Sequence, residues 1–524
     1  MKQATTLSRD SVRDRIRGCI FGNAIGDAYG LATEFMSKKR AAEKYGNGPI
    51  QFGLETSGYP VWEDGHRDRW DRNDFTDDTD QLIIILQTLQ QTQDGSLSPV
   101  LFAQRLEEWS KIGLPELGTP PRGIGYTVGS VLSHPEFASN PHLAAYEVWD
   151  KRGRTLAPNG AVMRTSVLGI ESFWDEDKVI INTMAAAKVT HADPRSVIAA
   201  IISSVLISRL LRGGGTDQTS DHVRIWNPKL EDADYRQNLL QYLGQGSDQN
   251  KIVYEGPTIK DQFAPKDITK SAHQEIAGSK GIIQSITDFF SSRFGGEQKP
   301  EPNQNRPNVE LRDNIGWAGV DEVGKDDAMM ALSHSVIDDY AFLLLKTDLV
   351  PAPSAQATFV KVNQRYNPQD HGSRLQPTEA AEETRKADGS TQNQWLNDLN
   401  DFCFPEKLEQ LDLECSHTMG YAYKCIGSGV FAVTRRTDPK PTQIPEYEGS
   451  QGLFRGVMEQ VTLEAGDADT NCAVIGSLLG ARFGLEKGIP EAWWKGLKHF
   501  HWLDINVEAF VDRIIADMER FEQS

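Results

Sequence analysis

Two short runs hold the densest oxygen chemistry in the chain: Thr76-Asp77-Asp78-Thr79 and Asp467-Ala468-Asp469-Thr470. Each sets two carboxylates and a threonine hydroxyl within four residues. Hard divalent cations such as Mg2+ and Mn2+ take oxygen ligands of this kind. Four acids packed without a cation repel one another and hold their protons to higher pH, and a pair of divalent ions removes that cost. Soft ligands are absent from both runs, which argues against zinc. A plainer reading competes for each run taken alone. Threonine or aspartate at a helix N-cap, with acids in the first turn, is ordinary capping worth about 1 kcal/mol. Asp27 and Glu34 offer further oxygen. Seven residues apart, they share one face if their helix continues between them.

The elements that must position these acids read as helices. Phe75 to Asp80 precedes an apolar helix over Gln81 to Gln90, with Leu82, Ile85, Leu86 and Leu89 at i, i+3, i+4 and i+7. Gly466 to Thr470 precedes another over Cys472 to Leu479. Asp193-Pro194 is a helix start, with aspartate at the N-cap and proline at the first position. The most apolar stretch, Val197 to Leu211, contains Ser203, Ser204, Ser208 and Arg209. It reads as too short and too polar to span a bilayer, hence as a buried helix. Gly18, Gly22, Gly26 and Gly30 recur every four residues, as do Gly476, Gly480 and Gly484. Each glycine inside a helix costs about 0.5–1 kcal/mol relative to alanine. Close approach of a second helix or of a ligand is the usual reason, and tight packing is the plainer of the two. Alternating strand patterns are scarce, so the fold class is all-α.

Three further motifs are weak singly. Pro121-Arg122-Gly123-Ile124-Gly125 is a glycine-rich turn before a helical segment, and its N–H groups could cradle a pyrophosphate. Asn159-Gly160-Ala161-Val162-Met163-Arg164 is a turn leading into a helix. Thr190-His191-Ala192-Asp193 puts a histidine just ahead of a helix start, where a structural role is the plainer one.

Residues 1–212 and 411–524 read as two parts of one domain. Between them, 213–410 reads as an insertion with irregular segments, notably the run from Glu297 to Asn305 and the polar stretch from Pro351 to Gln394. A helix is expected between Asp327 and Lys346, where Met329, Met330, Leu332, Val336, Ile337 and Tyr340 fit helical spacing. Lysine plus arginine number 55 against 74 aspartate plus glutamate, so the net charge is 55 − 74 = −19. Without a basic stripe to offset it, this argues against direct nucleic-acid binding. The five cysteines form no CxxC pair and read as reduced thiols of a cytoplasmic or nuclear protein. The first 17 residues have no apolar signal core, and no membrane association is expected. A monomer is expected.

Taken in order, the motifs resemble the ADP-ribosylglycohydrolase family, which includes the dinitrogenase reductase-activating glycohydrolases. The matching elements are Gly26-Asp27-Ala28-Tyr29-Gly30 with Glu34, Thr76-Asp77-Asp78-Thr79, Asn159-Gly160 with Met163-Arg164, Thr190-His191 with Asp193-Pro194-Arg195, and Gly466-Asp467 with Asp469-Thr470. The last motif usually opens Gly-Gly-Asp, and here Ala465 stands in place of the first glycine. The resemblance covers both core segments and skips most of the insertion. It implies an orthogonal helical bundle around a binuclear Mg2+ (or Mn2+) site. Thr76, Asp77, Asp78, Asp467, Asp469 and Thr470 would be the ligands, with Glu34 on or beside one metal. Gly123, Ile124 and Gly125 would face the pyrophosphate of ADP-ribose, and Asn159, Gly160, Met163 and His191 would bind substrate around the ribose. The implied reaction is hydrolysis at C1″ of the distal ribose, with Asp77 or Asp78, assisted by Glu34, accepting the water's proton. The expected product is ADP-ribose released from a modified protein side chain. Small conjugates such as ADP-ribose-1″-phosphate or O-acetyl-ADP-ribose are an alternative, because only the group beyond C1″ differs. A non-catalytic ADP-ribose binder or structural relative is a third reading, against which both acidic clusters are complete.

Overall fold

The computed structural model describes residues 3–92, 94–215, 227–244, 321, 323–345, 391–437 and 447–524. Among the described residues every regular element is a helix, and extended pairing is confined to isolated bridges. The chain is therefore all-α, as its periodicity predicts.

Two antiparallel helices, Arg9–Gly30 and Ala468–Phe483, form the centre. A Cβ on Gly18, Gly22, Gly26 or Gly30 would lie 2.5, 2.1, 1.9 or 2.3 Å from the carbonyl oxygen of Gly480, Gly476, Cys472 or Ala468. Reciprocally, a Cβ on Gly476 or Gly480 would lie 1.9 Å from the carbonyl oxygen of Gly22 or Gly18. The glycine stripes thus exist for backbone-on-backbone contact, and no ligand is needed to explain them. Gly484 does not belong to the stripe. It is the C-cap of its helix, at φ +86°, and the group nearest its missing Cβ is the Asp14 carboxylate. Because the pair is antiparallel, Gly30 at the end of one helix abuts Ala468 at the start of the other.

The helix expected from Gln81 begins earlier, as Asp77–Gln90, and that expected from Cys472 begins at Ala468. In each case the acids enter the first turn. Pro194–Leu211 starts as the sequence predicts: Asp193 accepts the Arg195 N–H at 2.9 Å and Pro194 takes the first position. By length and composition this helix is long and apolar enough to cross a membrane, so the sequence reading understated it. Every one of its residues is buried inside the protein, packed by Glu176–Lys188, Asp327–Leu345, Ala422–Val433 and Ala468–Phe483.

The expected helix in the middle region is present as Asp327–Leu345. Buried charge ties it to the core: Arg209 pairs with Glu176 at 2.7 Å and Asp339 at 2.6 Å, and the Tyr340 hydroxyl donates to Glu176 at 2.6 Å. Thr391–Cys403 packs on Ala422–Val433, where a Cβ on Gly427 would lie 2.3 Å from the Phe402 carbonyl oxygen. The run 297–305 and residues 351–390 of the polar stretch lie outside the described residues, whereas its last four residues, 391–394, open the helix Thr391–Cys403 and are not irregular.

Gly26→Ala should cost at least about 3 kcal/mol in urea denaturation, because the methyl meets backbone that no rotamer can move. Gly125→Ala, with nothing within 4 Å of the added Cβ, should change stability by less than about 0.5 kcal/mol. A tolerated Gly26→Ala would show that the two helices can separate.

Candidate functional site

Asp27 sits in the last turn of Arg9–Gly30, fully buried. Its carboxylate accepts the Thr76 N–H on both oxygens at 3.0 Å, the Thr79 N–H at 3.0 Å and the Thr79 hydroxyl at 2.6 Å. Orphan donors at the start of Asp77–Gln90 are thereby satisfied from a neighbouring helix. Asp27 is thus a clamp between helices, which its sequence position did not reveal. Thr76 is a true N-cap, its hydroxyl accepting the Asp78 N–H at 3.4 Å. Asp467 holds the equivalent position on its helix but makes no capping bond, and its Oδ2 accepts from Asn159 Nδ2 at 2.9 Å. Capping therefore accounts for Thr76 and leaves Asp467 with another role.

Glu34 is not on a shared helical face with Asp27, because that helix ends at Gly30. It lies in the following turn, where Phe35 takes φ +58°. Main-chain bonds fix this turn to the second acidic run. The Phe35 N–H donates to the Gly466 carbonyl at 2.6 Å, and the Gly466 N–H to the Met36 carbonyl at 3.0 Å. From the other side Arg67 donates to the carbonyls of Ala32 at 2.8 Å and Glu34 at 2.6 Å, and His66 Nε2 meets Glu34 Oε2 at 2.5 Å. The outcome is that carboxylate oxygens of Glu34, Asp467 and Asp469, all buried, lie within 4.8 Å of one another.

This cluster is electrostatically costly. Burial, then the charges of neighbouring acids, pushes Asp77, Asp78 and Asp469 well above the usual carboxylate range. Burial raises Asp467 to about 6 despite the Asn159 hydrogen bond, and Asp27 to about 6 despite the bonds from Thr79 and Thr76. The Thr470 hydroxyl lies against both Asp78 and Asp467 and partly relieves them. Asp78 Oδ2 and Asp469 Oδ1 are buried and have no hydrogen-bond partner among the described residues. Nor does any lysine or arginine among them form an ion pair with Asp27, Glu34, Asp77, Asp78, Asp467 or Asp469. A wholly oxygen donor set with unpartnered oxygens and surplus negative charge fits a hard divalent cation. The buried Cys425 Sγ points to the Thr470 carbonyl at 3.8 Å, and burial keeps it a neutral thiol.

Two of the weaker motifs reach the acids, through Gly123 at Asp77 and Asn159 at Asp467. Gly123 has φ +76°, and a Cβ there would lie 2.5 Å from Asp77 Oδ1, so the glycine-rich turn lies directly on the acids. Ile124 is half-buried, and Gly125 precedes the short helix Tyr126–Leu132. Arg122 turns away to Asp74 at 2.5 Å and the Arg69 carbonyl at 2.9 Å. Gly160 faces His191, whose Nε2 would lie 3.1 Å from an added Cβ. Met163 is buried, and its carbonyl accepts from Asn23 at 2.9 Å. His66, Arg67 and Gly420, which also border the acids, stand in no periodic or motif context, and Gln81 reads in the sequence only as the start of an apolar helix.

A family model described as ADP-ribosylglycohydrolase matches residues 8–285 and 347–521. The chain belongs to the ADP-ribosylglycohydrolase family. It is therefore placed among hydrolases of ADP-ribosyl groups. An uncharacterized protein of Archaeoglobus fulgidus is 25% identical over 283 residues, 52% of this chain and 80% of its own. The uncharacterized protein YegU of Escherichia coli is 24% identical over 201 residues, 38% of this chain and 55% of its own. The ADP-ribosyl-[dinitrogen reductase] glycohydrolase of Rhodospirillum rubrum is 27% identical over 210 residues, 40% of this chain and 62% of its own. A solved structure titled ADP-ribosylglycohydrolase-related protein complex aligns over 96% of this chain and 99% of its own, at 16% identity and a TM-score of 0.43.

Two outcomes test this geometry. Asp77, Asp78 and Asp469 have folded-state pKa values above the unfolded value near 3.8, so their ionisation favours the unfolded chain. For Asp27 and Asp467 the same stabilisation is intact below about pH 4 and is lost as pH rises through about 6, and for Asp77, Asp78 and Asp469 it is likewise lost as pH rises above the unfolded value. Thermal melts in EDTA should fall across this window, and Mg2+ or Mn2+ should restore them; melts insensitive to both would contradict a cation site. Separately, Ala465 holds φ +63° and ψ −146°, a region that favours glycine. Ala465→Gly should raise stability by about 1 kcal/mol, read by urea denaturation.

Proposed function

We propose that this family member is a Mg2+- or Mn2+-dependent hydrolase that cleaves at C1″ of the distal ribose and releases ADP-ribose from modified protein side chains. The observation that carries the reading is the convergence of buried Glu34, Asp467 and Asp469 with the unpartnered oxygens of Asp78 and Asp469. Thr76, Asp77, Asp78, Asp467, Asp469, Thr470 and Glu34 would hold a pair of cations. When bound, such ions act as Lewis acids that acidify water and draw hydroxyl oxygens to the site.

The rest falls to the chain's own groups. The N–H groups of Gly123, Ile124 and Gly125 face the pyrophosphate, and Gly123 lets the turn lie on Asp77 without a side chain between. Asn159 and His191 hold the ribose, with Gly160 leaving the imidazole edge open. Met163 backs this wall from its buried position. Asp77 or Asp78, with Glu34 beside them, accepts a proton from water as its oxygen bonds to C1″. The leaving group departs with the electrons of the broken C1″ bond and takes up a proton, through a transition state of oxocarbenium character.

The Rhodospirillum rubrum relative, by its name, acts on an ADP-ribosylated protein, which supports a protein-linked substrate. The purified protein should be given a panel of C1″ conjugates, linked through arginine, serine, acetyl and phosphate. Release of ADP-ribose should require Mg2+ or Mn2+, and EDTA should abolish it. Asp77→Asn and Asp469→Asn should each lower kcat/KM by about 100-fold or more. Unchanged rates in both variants would remove the assignment, and turnover of the small conjugates alone would move the substrate class.

A further inference from the structure

A buried chain of four hydrogen bonds runs from the acids to His191. Gln81 Nε2 donates to Asp77 Oδ2 at 2.8 Å, and Arg164 Nη1 donates to Gln81 Oε1 at 2.5 Å. Arg164 Nη2 donates to Thr190 Oγ1 at 2.6 Å, and Thr190 Oγ1 lies 2.7 Å from His191 Nδ1. All five residues are buried, and Arg164 is wholly so.

Arginine sets the direction of every link, because a guanidinium can only donate. Gln81 must turn its oxygen to Arg164, which leaves its amide N–H for Asp77. Thr190 must accept from Arg164, which leaves its own proton for His191 Nδ1. Reversing the last bond would strand the buried Thr190 proton without an acceptor among the described residues. A neutral imidazole that accepts at Nδ1 carries its proton on Nε2. Burial, then the charge of Arg164, pushes His191 well below the usual histidine range, so the ring is neutral. Its Nε2 has no hydrogen-bond partner among the described residues. A Cβ on Gly160 would crowd the Cε1–Nε2 edge of this ring at 3.0 and 3.1 Å, and His191 lines a pocket with Tyr126, Trp149 and Pro158.

We propose that Arg164 and Thr190 are positioning residues that lock His191 as an Nε2–H donor aimed at an acceptor oxygen of the bound ligand, while Gln81 passes the same constraint to Asp77. The ligand half of this statement rests on the ADP-ribose reading above. The tautomer half rests on the hydrogen-bond chain alone.

The test uses the full chain with 15N-labelled histidine, the His191 resonance being assigned by its loss in His191→Gln. Long-range proton–nitrogen spectra near pH 7 should show His191 protonated on Nε2 only. Thr190→Val should mix or reverse the tautomer and weaken ADP-ribose binding about 10-fold in calorimetry, a change on the scale of one lost hydrogen bond. Thr190→Ser, which keeps the hydroxyl, should restore both, and a purely packing role for Thr190 would not move the ring proton. Protonation on Nδ1, or on both nitrogens, in the parent protein overturns the proposal. So does a folded Thr190→Val that keeps the parent tautomer and affinity. If Thr190→Val fails to fold, the parent spectrum and Thr190→Ser still decide. An Nε2–H ring in a protein that does not bind ADP-ribose upholds the chain of bonds and removes the functional reading instead.

Discussion

The contact on which the structure depends is the approach of Arg9–Gly30 to Ala468–Phe483 without side chains between them. Helices ordinarily pack about 8–10 Å apart, held off by their side chains. Here glycines present bare backbone to a partner's carbonyl oxygens at Gly22, Gly26 and Gly30. The helix propensity lost at each glycine is recovered only if that contact forms. Once it does, the antiparallel register leaves no choice about what meets at the far end. The turn carrying Glu34 follows one helix, and Asp467 and Asp469 begin the other. Residues more than 400 positions apart in sequence thus share one site.

Bringing acids together in this way works against stability. Each is buried, and each raises the proton affinity of the others. The surrounding structure over-determines the arrangement so that repulsion cannot disperse it. Asp27 clamps the start of Asp77–Gln90 through three donors. Main-chain bonds at Phe35 and Gly466 hold the Glu34 turn, and Arg67 and His66 hold it from the opposite side. Such rigidity is what a preorganised cation site requires, since ligand oxygens that could swing apart would do so without the ion. The positive φ of Ala465, beside Gly466, belongs to the same constraint.

Arg164 extends this logic to the polar wall of the site. A fully buried guanidinium that makes no ion pair with the cluster would be a liability if its only use were charge. Its value is directional. Donors aimed at Gln81 and Thr190 fix two amphoteric side chains whose orientation would otherwise be free. The acids and the imidazole edge are then referenced to one rigid group.

Much of this was legible in the sequence, and the division follows from the range of the interactions. Helical periodicity, the Asp193-Pro194 start, the glycine stripes and the acidic runs are local patterns, and local sterics and capping decide them. Order along the chain then sufficed to suggest a family. Boundaries were less legible, because whether Asp77 and Ala468 join their helices depends on partners for the first N–H groups, and Asp27 supplies these for the former from far away. The function of a single carboxylate was not legible at all. Asp27 and Glu34 look alike in sequence, yet one is spent on capping and the other faces the cluster, because the helix stops at Gly30. His66, Arg67, Gln81 and Thr190 gained roles only through neighbours that the fold delivers. Residue types and their local spacing fix which groups can carry oxygen chemistry and that helices present them. Which of those groups meet is set by packing, because hydrogen bonds and charges act over a few ångströms and chain order does not measure that distance.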